Sequence, residues 1–189
     1  MDCIMLKKTL LALSISAISL TASGLAQATD GTINFKASIS ASSCTVNSVA
    51  DASSTAGTVD FGTVSNTTFG SAGDATVGTP FSIELVDCAV ASAPTITFEG
   101  TPVTSSGYTE LFDTDISGLG IRIEDADSTG TYYTSGTAAA NTGFNALTST
   151  EVTSATGNFN AYLVDYTGST AYSGNVDTDV TFTINYSDS

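Results

Sequence analysis

The 189-residue chain has three cysteines, no histidine, and 19 acidic against four basic residues, which leaves few ways to do chemistry. Without an imidazole there is no Ser-His-Asp or Cys-His arrangement to activate a nucleophile. Past residue 28 the one lysine, Lys36, falls inside an alternating apolar run, and no G-x-x-x-x-G-K-[ST] loop is present to cradle phosphate. Asp113 and Asp115 flank Thr114, but a separation of two along a strand reads as surface charge, not as the paired acids of glycoside cleavage. Glu124-Asp125-Ala126-Asp127-Ser128-Thr129-Gly130 has the first half of a calcium loop. Its twelfth position falls on Gly136, which has no carboxylate, so the segment reads as a solvated turn. These residues argue against an enzyme and against a metal or other cofactor.

The cysteines carry what chemistry remains. Lys7 and Lys8, an apolar run over residues 9–20, and small residues ending in Ala26-Gln27-Ala28 have the order of a secretory signal peptide, residues 1–28. The run is shorter than the roughly 20 apolar residues that a membrane span needs, so no membrane insertion is expected. Cleavage after Ala28 takes 28 residues from 189 and leaves 161, beginning at Thr29; cleavage after Ala26 is the weaker alternative, and Met5 is a second candidate start. That size suits one domain, residues 29–189. Cys3 leaves with the signal, while Cys44 and Cys88 remain as an even pair in an oxidising compartment. A disulfide is expected, and closing a loop of about 45 residues would add about 4 kcal/mol by restricting the unfolded chain. Two cysteines without histidine fall short of a zinc site.

Loss of residues 1–28 removes one acid and two bases, leaving 18 acids against Lys36 and Arg122, a net charge near −16. Such a surface repels a phosphate backbone, which excludes nucleic acid as a partner, and it disfavours anionic lipid. The charge is read as a solubility device for a secreted protein.

The elements are strands. From Thr29 onward the composition is Thr, Ser, Gly, Ala and Val, with many turn formers and no long amphipathic helical pattern. In Gly31-Thr32-Ile33-Asn34-Phe35-Lys36-Ala37-Ser38-Ile39 the apolar residues recur every second position, the period of a strand with one apolar face. Similar runs occupy residues 58–64, 79–88, 95–98, 119–124 and 177–185. In residues 158–166 both faces are partly apolar, and the inward one stays open. About seven or eight strands result, the number of an immunoglobulin-like sandwich. The runs at the two ends read as edge strands, the first given to a neighbouring subunit and the second bordering the slot that receives a neighbour's strand.

The alternating start, Ser42-Ser43-Cys44-Thr45-Val46, then Gly78-Thr79-Pro80-Phe81-Ser82-Ile83-Glu84-Leu85-Val86-Asp87-Cys88, and the terminal Val180-Thr181-Phe182-Thr183-Ile184-Asn185-Tyr186 together resemble the pilin subunits of chaperone–usher fimbriae, in particular the type 1-like rod subunits. The resemblance covers residues 29–186. It implies an all-β, incomplete immunoglobulin-like sandwich that lacks its last strand and is completed by a donor strand from another subunit. A periplasmic chaperone fills the groove first, and the N-terminal extension of the next subunit then replaces it, a β-augmentation. Carried over by position, the donor strand lies in an extension of about residues 29–40, with Gly31, Ile33, Phe35, Ala37 and Ile39 facing the groove. Val180, Phe182, Ile184 and Tyr186 fall on the terminal strand that edges the groove and pairs with the chaperone. The implied partners are identical or related subunits, the chaperone and an outer-membrane usher, and the implied location is a cell-surface fimbrium reached through the periplasm. This chain departs from the family in continuing past Tyr186 with Ser187-Asp188-Ser189.

Burying Ile33, Phe35 and Ile39 at about 1.5 to 3 kcal/mol each gives a gross gain on the order of 5 to 10 kcal/mol before ordering costs. The competing reading takes residues 33–39 as the first strand of a self-complete sandwich, a secreted glycan-binding module or small adhesin.

Overall fold

The alternation in residues 79–89 and 155–165 produces the two longest strands, and they lie side by side. In the computed structural model, which describes residues 43–187 except 91, 106 and 150, the elements are β1 (Ser43–Val49), β2 (Thr79–Ala89), β3 (Thr95–Glu99), β4 (Leu111–Asp113), β5 (Leu119–Asp125), β6 (Ala139–Ala140), β7 (Ala155–Asp165) and β8 (Thr181–Asn185). Two short 3-10 turns, Asn66–Thr68 and Gly143–Ala146, complete the set. The strands form an antiparallel sheet of order β1-β2-β7-β5-β4 and a second of order β6-β3-β8. The fold is all-β.

Register puts apolar residues opposite one another, so each sheet turns an apolar face to the other. Phe81 pairs with Phe159, Ile121 with Leu163, Ile96 with Ile184 and Phe98 with Phe182. The two faces share one core, in which Ile83, Leu85, Ile96 and Phe159 are fully buried. Phe159 is its hub: its ring stacks on Phe81 at 5.0 Å and meets Phe98 edge-on at 5.4 Å. Such pairs add about 0.5–1.5 kcal/mol each beyond the area they bury.

Both faces of β7 are covered. Phe159 and Leu163 enter the main core and Ala161 is buried at the trough floor, while Val164 joins Val103 and Leu111 in a smaller cluster on the outer face, flanked by Tyr108, Tyr162 and Tyr166. This is why neither face of residues 158–166 reads as polar. Residues 126–130 form the expected turn at the surface, but the reading is corrected at its start, because Glu124 and Asp125 are buried at the end of β5. Asp125 Oδ2 accepts from the backbone N–H and the hydroxyl of Thr142, both at 2.8 Å. Glu124 accepts from Gly130 N–H at 2.7 Å and from the Tyr162 hydroxyl at 2.6 Å. These carboxylates are hydrogen-bond acceptors that staple loops to the sheet. Among the described residues no group of three or more metal-ligating side chains is placed to hold an ion.

Cys44 and Cys88 are joined by a disulfide with Cα atoms 4.0 Å apart, tying the start of β1 to the end of β2. Beside it Asp87 is an extra residue: Ser43 pairs with Ala89 but Thr45 pairs with Val86, and Asp87 takes a φ of 51°. A bulge of this kind accepts Asp in the left-handed region more readily than most residues.

Asp165, at the end of β7, is fully buried. Its Oδ1 accepts from Thr167 N–H at 2.8 Å, Gly168 N–H at 2.6 Å and the Tyr172 hydroxyl at 2.7 Å. Burial pushes its pKa up, but the hydrogen bonds from Tyr172, Gly168 and Thr167 outweigh it and hold the carboxyl below its ordinary value. A folded pKa below the unfolded one stabilises the fold above about pH 4. That stability is lost as pH falls through the folded value. Asp165→Ala is expected to cost about 1–3 kcal/mol by stranding buried donors. Urea midpoints measured from pH 6 to below 4 should fall less steeply for Asp165→Asn than for the parent chain, and identical acid limbs would rule the role out.

Candidate functional site

Two segments outside the sheets define the site. In residues 57–64 the side chains of Val59, Phe61 and Val64 are half-buried while their neighbours are exposed; in residues 172–182 the same holds for Val176, Thr178, Val180 and Phe182. Residues 58–64 carry the expected alternation but form no strand, and the expected strand at 177–185 contracts to β8, Thr181–Asn185. The cause is pairing. Among the described residues neither 57–64 nor 172–180 makes a backbone–backbone hydrogen bond, and β8 pairs on one side only, with β3. Alternation specifies a face, whereas a ladder also requires a neighbour.

Between these rims runs a trough. Its first part, about 280 Å³, has a floor of Phe81 and Ile83 from β2, Ile121 and Ile123 from β5, Ala161 from β7 and Phe98 from β3. Its second part, about 340 Å³, is floored by Ile116, Leu119 and Leu163 and walled by Val64, Phe69 and Tyr172. Val59, Phe61 and Val176 border both parts, so the trough is continuous. Ascending from residue 57 along one rim corresponds to descending from 182 along the other, so the rims are antiparallel.

Each rim is anchored at its root. A Cβ on Gly57 would lie 2.0 Å from the Val49 carbonyl oxygen, so only glycine lets the first rim leave the end of β1 this closely. It follows a turn in which Ala50 and Asp51 have φ values of 46° and 62°. The second rim is held through Tyr172, whose hydroxyl meets Asp165 and whose ring meets Phe69 edge-on at 5.5 Å across the trough's far end.

The structure distributes the sequence-predicted residues unevenly. Val180 and Phe182 border the trough, Ile184 pairs with Ile96 in the small sheet, and Tyr186 follows β8. The Tyr186 hydroxyl donates to the Cys44 carbonyl at 3.5 Å, and burial pushes its pKa above the ordinary 10. Gly31, Ile33, Phe35, Ala37 and Ile39 lie outside the described residues. Sequence reasoning did not single out Val59, Phe61, Tyr172 or Val176 as site residues, although the period of two in residues 58–64 was the available signal. With an apolar floor, and backbone on both sides that is unpaired among the described residues, the trough is suited to take up an extended chain as an added strand.

Comparison with known proteins agrees with this architecture. The family model described as fimbrial protein matches residues 33–187. The chain is similar to the crystal structure of the P pilus rod subunit PapA, at 19% identity over 82% of this chain and 100% of that one, with a TM-score of 0.56. A subunit from a chaperone–usher pilus structure that addresses rod uncoiling matches at 19% identity over 83% and 95%, with a TM-score of 0.59. A Burkholderia pseudomallei antigen and type I fimbria protein matches at 23% identity over 76% and 88%, with a TM-score of 0.51. At these identities the likeness is one of fold. No curated protein matches the chain.

Two glycines of the first rim separate space from conformation. Gly57→Ala must displace backbone and is expected to cost about 1–3 kcal/mol, as overpacking does. Gly62→Ala meets open space but a φ of +64°, and should cost only about 1 kcal/mol. Urea unfolding of the two variants should show the larger loss at Gly57; the reverse order would contradict the described course of the rim.

Proposed function

The chain belongs to the fimbrial protein family, and we propose that it is a structural subunit of a chaperone–usher fimbria that polymerises by accepting the N-terminal strand of another subunit in its trough. The observation that carries this reading is the pair of rims without backbone partners among the described residues, on either side of an apolar floor. An added strand satisfies both rims and covers the floor at once. Length supports the same occupant: residues 31–39, nine in all, span about 30 Å when extended, and the rim from residue 57 to 66 reaches at most about 33 Å.

In this reading Gly31, Ile33, Phe35, Ala37 and Ile39 of one copy face the floor of the next. Val180, Phe182, Ile184 and Tyr186 form the groove-edge strand that a periplasmic chaperone pairs with before assembly. Residues 1–28 direct export, residues 29–189 form the one pilin domain, and an outer-membrane usher delivers the subunits to a surface fibre. The donor and the trough are different surfaces of one chain, so contacts propagate head to tail into an open filament. A self-complete binding module would instead lay its own residues 33–39 along both rims, and would then fold without a partner.

Expression of residues 29–189 in the periplasm is expected to yield an unstable or aggregating subunit. Co-expression of a chaperone, or a copy of residues 29–40 appended to the C-terminus, should rescue it. A well-folded monomer without either would overturn the proposal. Phe35→Asp should abolish polymers while chaperone binding survives; loss of both would place that strand in the subunit's own core.

A further inference from the structure

Three carboxylates stand along the mouth of the trough, Asp60 on its second part and Asp177 and Asp179 on its first. Asp60 lies between Val59 and Phe61, and Asp177 and Asp179 follow Val176; all three acids are exposed, on the outward parity of their segments. A fourth acid, Asp115, accepts from the backbone N–H of Asp177 at 3.4 Å. The one basic side chain among the described residues is Arg122, and it is engaged elsewhere. Its guanidinium carbon lies 4.7 Å from the centre of the Tyr132 ring and 5.3 Å from that of Tyr162. Arg122 alternates with Ile121 and Ile123 of the core and so sits on the opposite face of β5 from the trough. No described side chain offsets the acids at the mouth.

We propose that Lys36 of an incoming second copy supplies that positive charge and so fixes the register of its strand, an inference that rests on residues 31–39 being the inserted segment. If Ile33, Phe35, Ala37 and Ile39 face the floor, residues 32, 34, 36 and 38 face outward, and Lys36 is the one cation among them. Side chains opposite each other on neighbouring strands have Cβ atoms about 4.5–5.5 Å apart, within reach of a lysine stem. The charge matters because apolar fit discriminates registers unevenly. A slip of one residue turns the apolar face to solvent and is excluded by burial alone. A slip of two keeps that face inward but moves the ammonium about 7 Å along the mouth, past Asp60 and Asp177 in one direction and from between them to Asp179 alone in the other. With Lys36 level with Asp60 and Asp177, Phe35 and Ala37 lie over the join of the two parts of the trough.

The test uses the full chain refolded with an excess of fluorescent synthetic peptide of residues 29–40. At low salt the Lys36→Glu peptide is expected to bind about tenfold more weakly than the parent peptide, and the gap should shrink in 0.5 M salt as exposed charges are screened. On a chain carrying Asp177→Lys, or Asp179→Lys should the first fold poorly, the preference should narrow or invert. Equal binding of the parent and Lys36→Glu peptides, with a Phe35→Asp peptide still failing, would overturn the charge register and leave the inserted strand standing. Equal binding of the Phe35→Asp peptide would overturn both.

Discussion

Unpaired backbone over an apolar floor is the constraint on which the rest of the structure depends. Apart from Gly62 N–H, which donates to Asp60, and Asp177 N–H, which donates to Asp115, the N–H and C=O groups along residues 57–64 and 172–180 must find water or a further strand, because the described residues offer them no backbone partner. Water satisfies the backbone but adds no apolar contact to Phe81, Ile83, Ile121 and Phe98, which line the floor. A strand answers both demands with one element, where a small ligand or a helix answers at most one. The site is therefore defined less by any side chain than by a missing row of hydrogen bonds.

The rims are nonetheless held in place at their roots. The tight exit at Gly57 and the Asp165–Tyr172 hydrogen bond fix the ends of segments whose middles have no backbone partner among the described residues. Pre-positioning lowers the ordering cost that association would otherwise carry. It also accounts for the buried carboxylate at Asp165: a charge taken out of water is tolerated where it draws the loop after β7 together and orients the aromatic wall of the trough.

Much of this was legible in the sequence, for reasons that differ from element to element. Period-two alternation located β2, β3 and β5 to within a few residues, and the run apolar on both faces located β7, because each has strand partners on the described chain. The same signal in residues 58–64 and 177–180 marked an apolar face correctly and a strand incorrectly, since alternation reports burial and carries nothing about what lies alongside. β4 and β6, with three and two residues, are too short to establish a period. Glu124 and Asp125 looked like turn acids because their acceptors' partners, Thr142, Gly130 and Tyr162, arrive from elsewhere in the chain or from across the turn. Val59, Phe61 and Val176 acquire meaning as site residues only once two rims far apart in sequence border one trough.

The acidity of the chain sharpens the logic of assembly. Copies with a net charge near −15 repel one another over any broad surface contact, the more so at low ionic strength. Association through flat polar faces is thereby penalised, and an inserted apolar strand is favoured because its contacts are short-ranged and dry. The two surfaces involved, trough and strand, are distinct parts of one chain, so satisfying one leaves the other available on the far copy. In the proposed fibre, growth is then a repeated completion of cores, and each link is as durable as the fold it finishes.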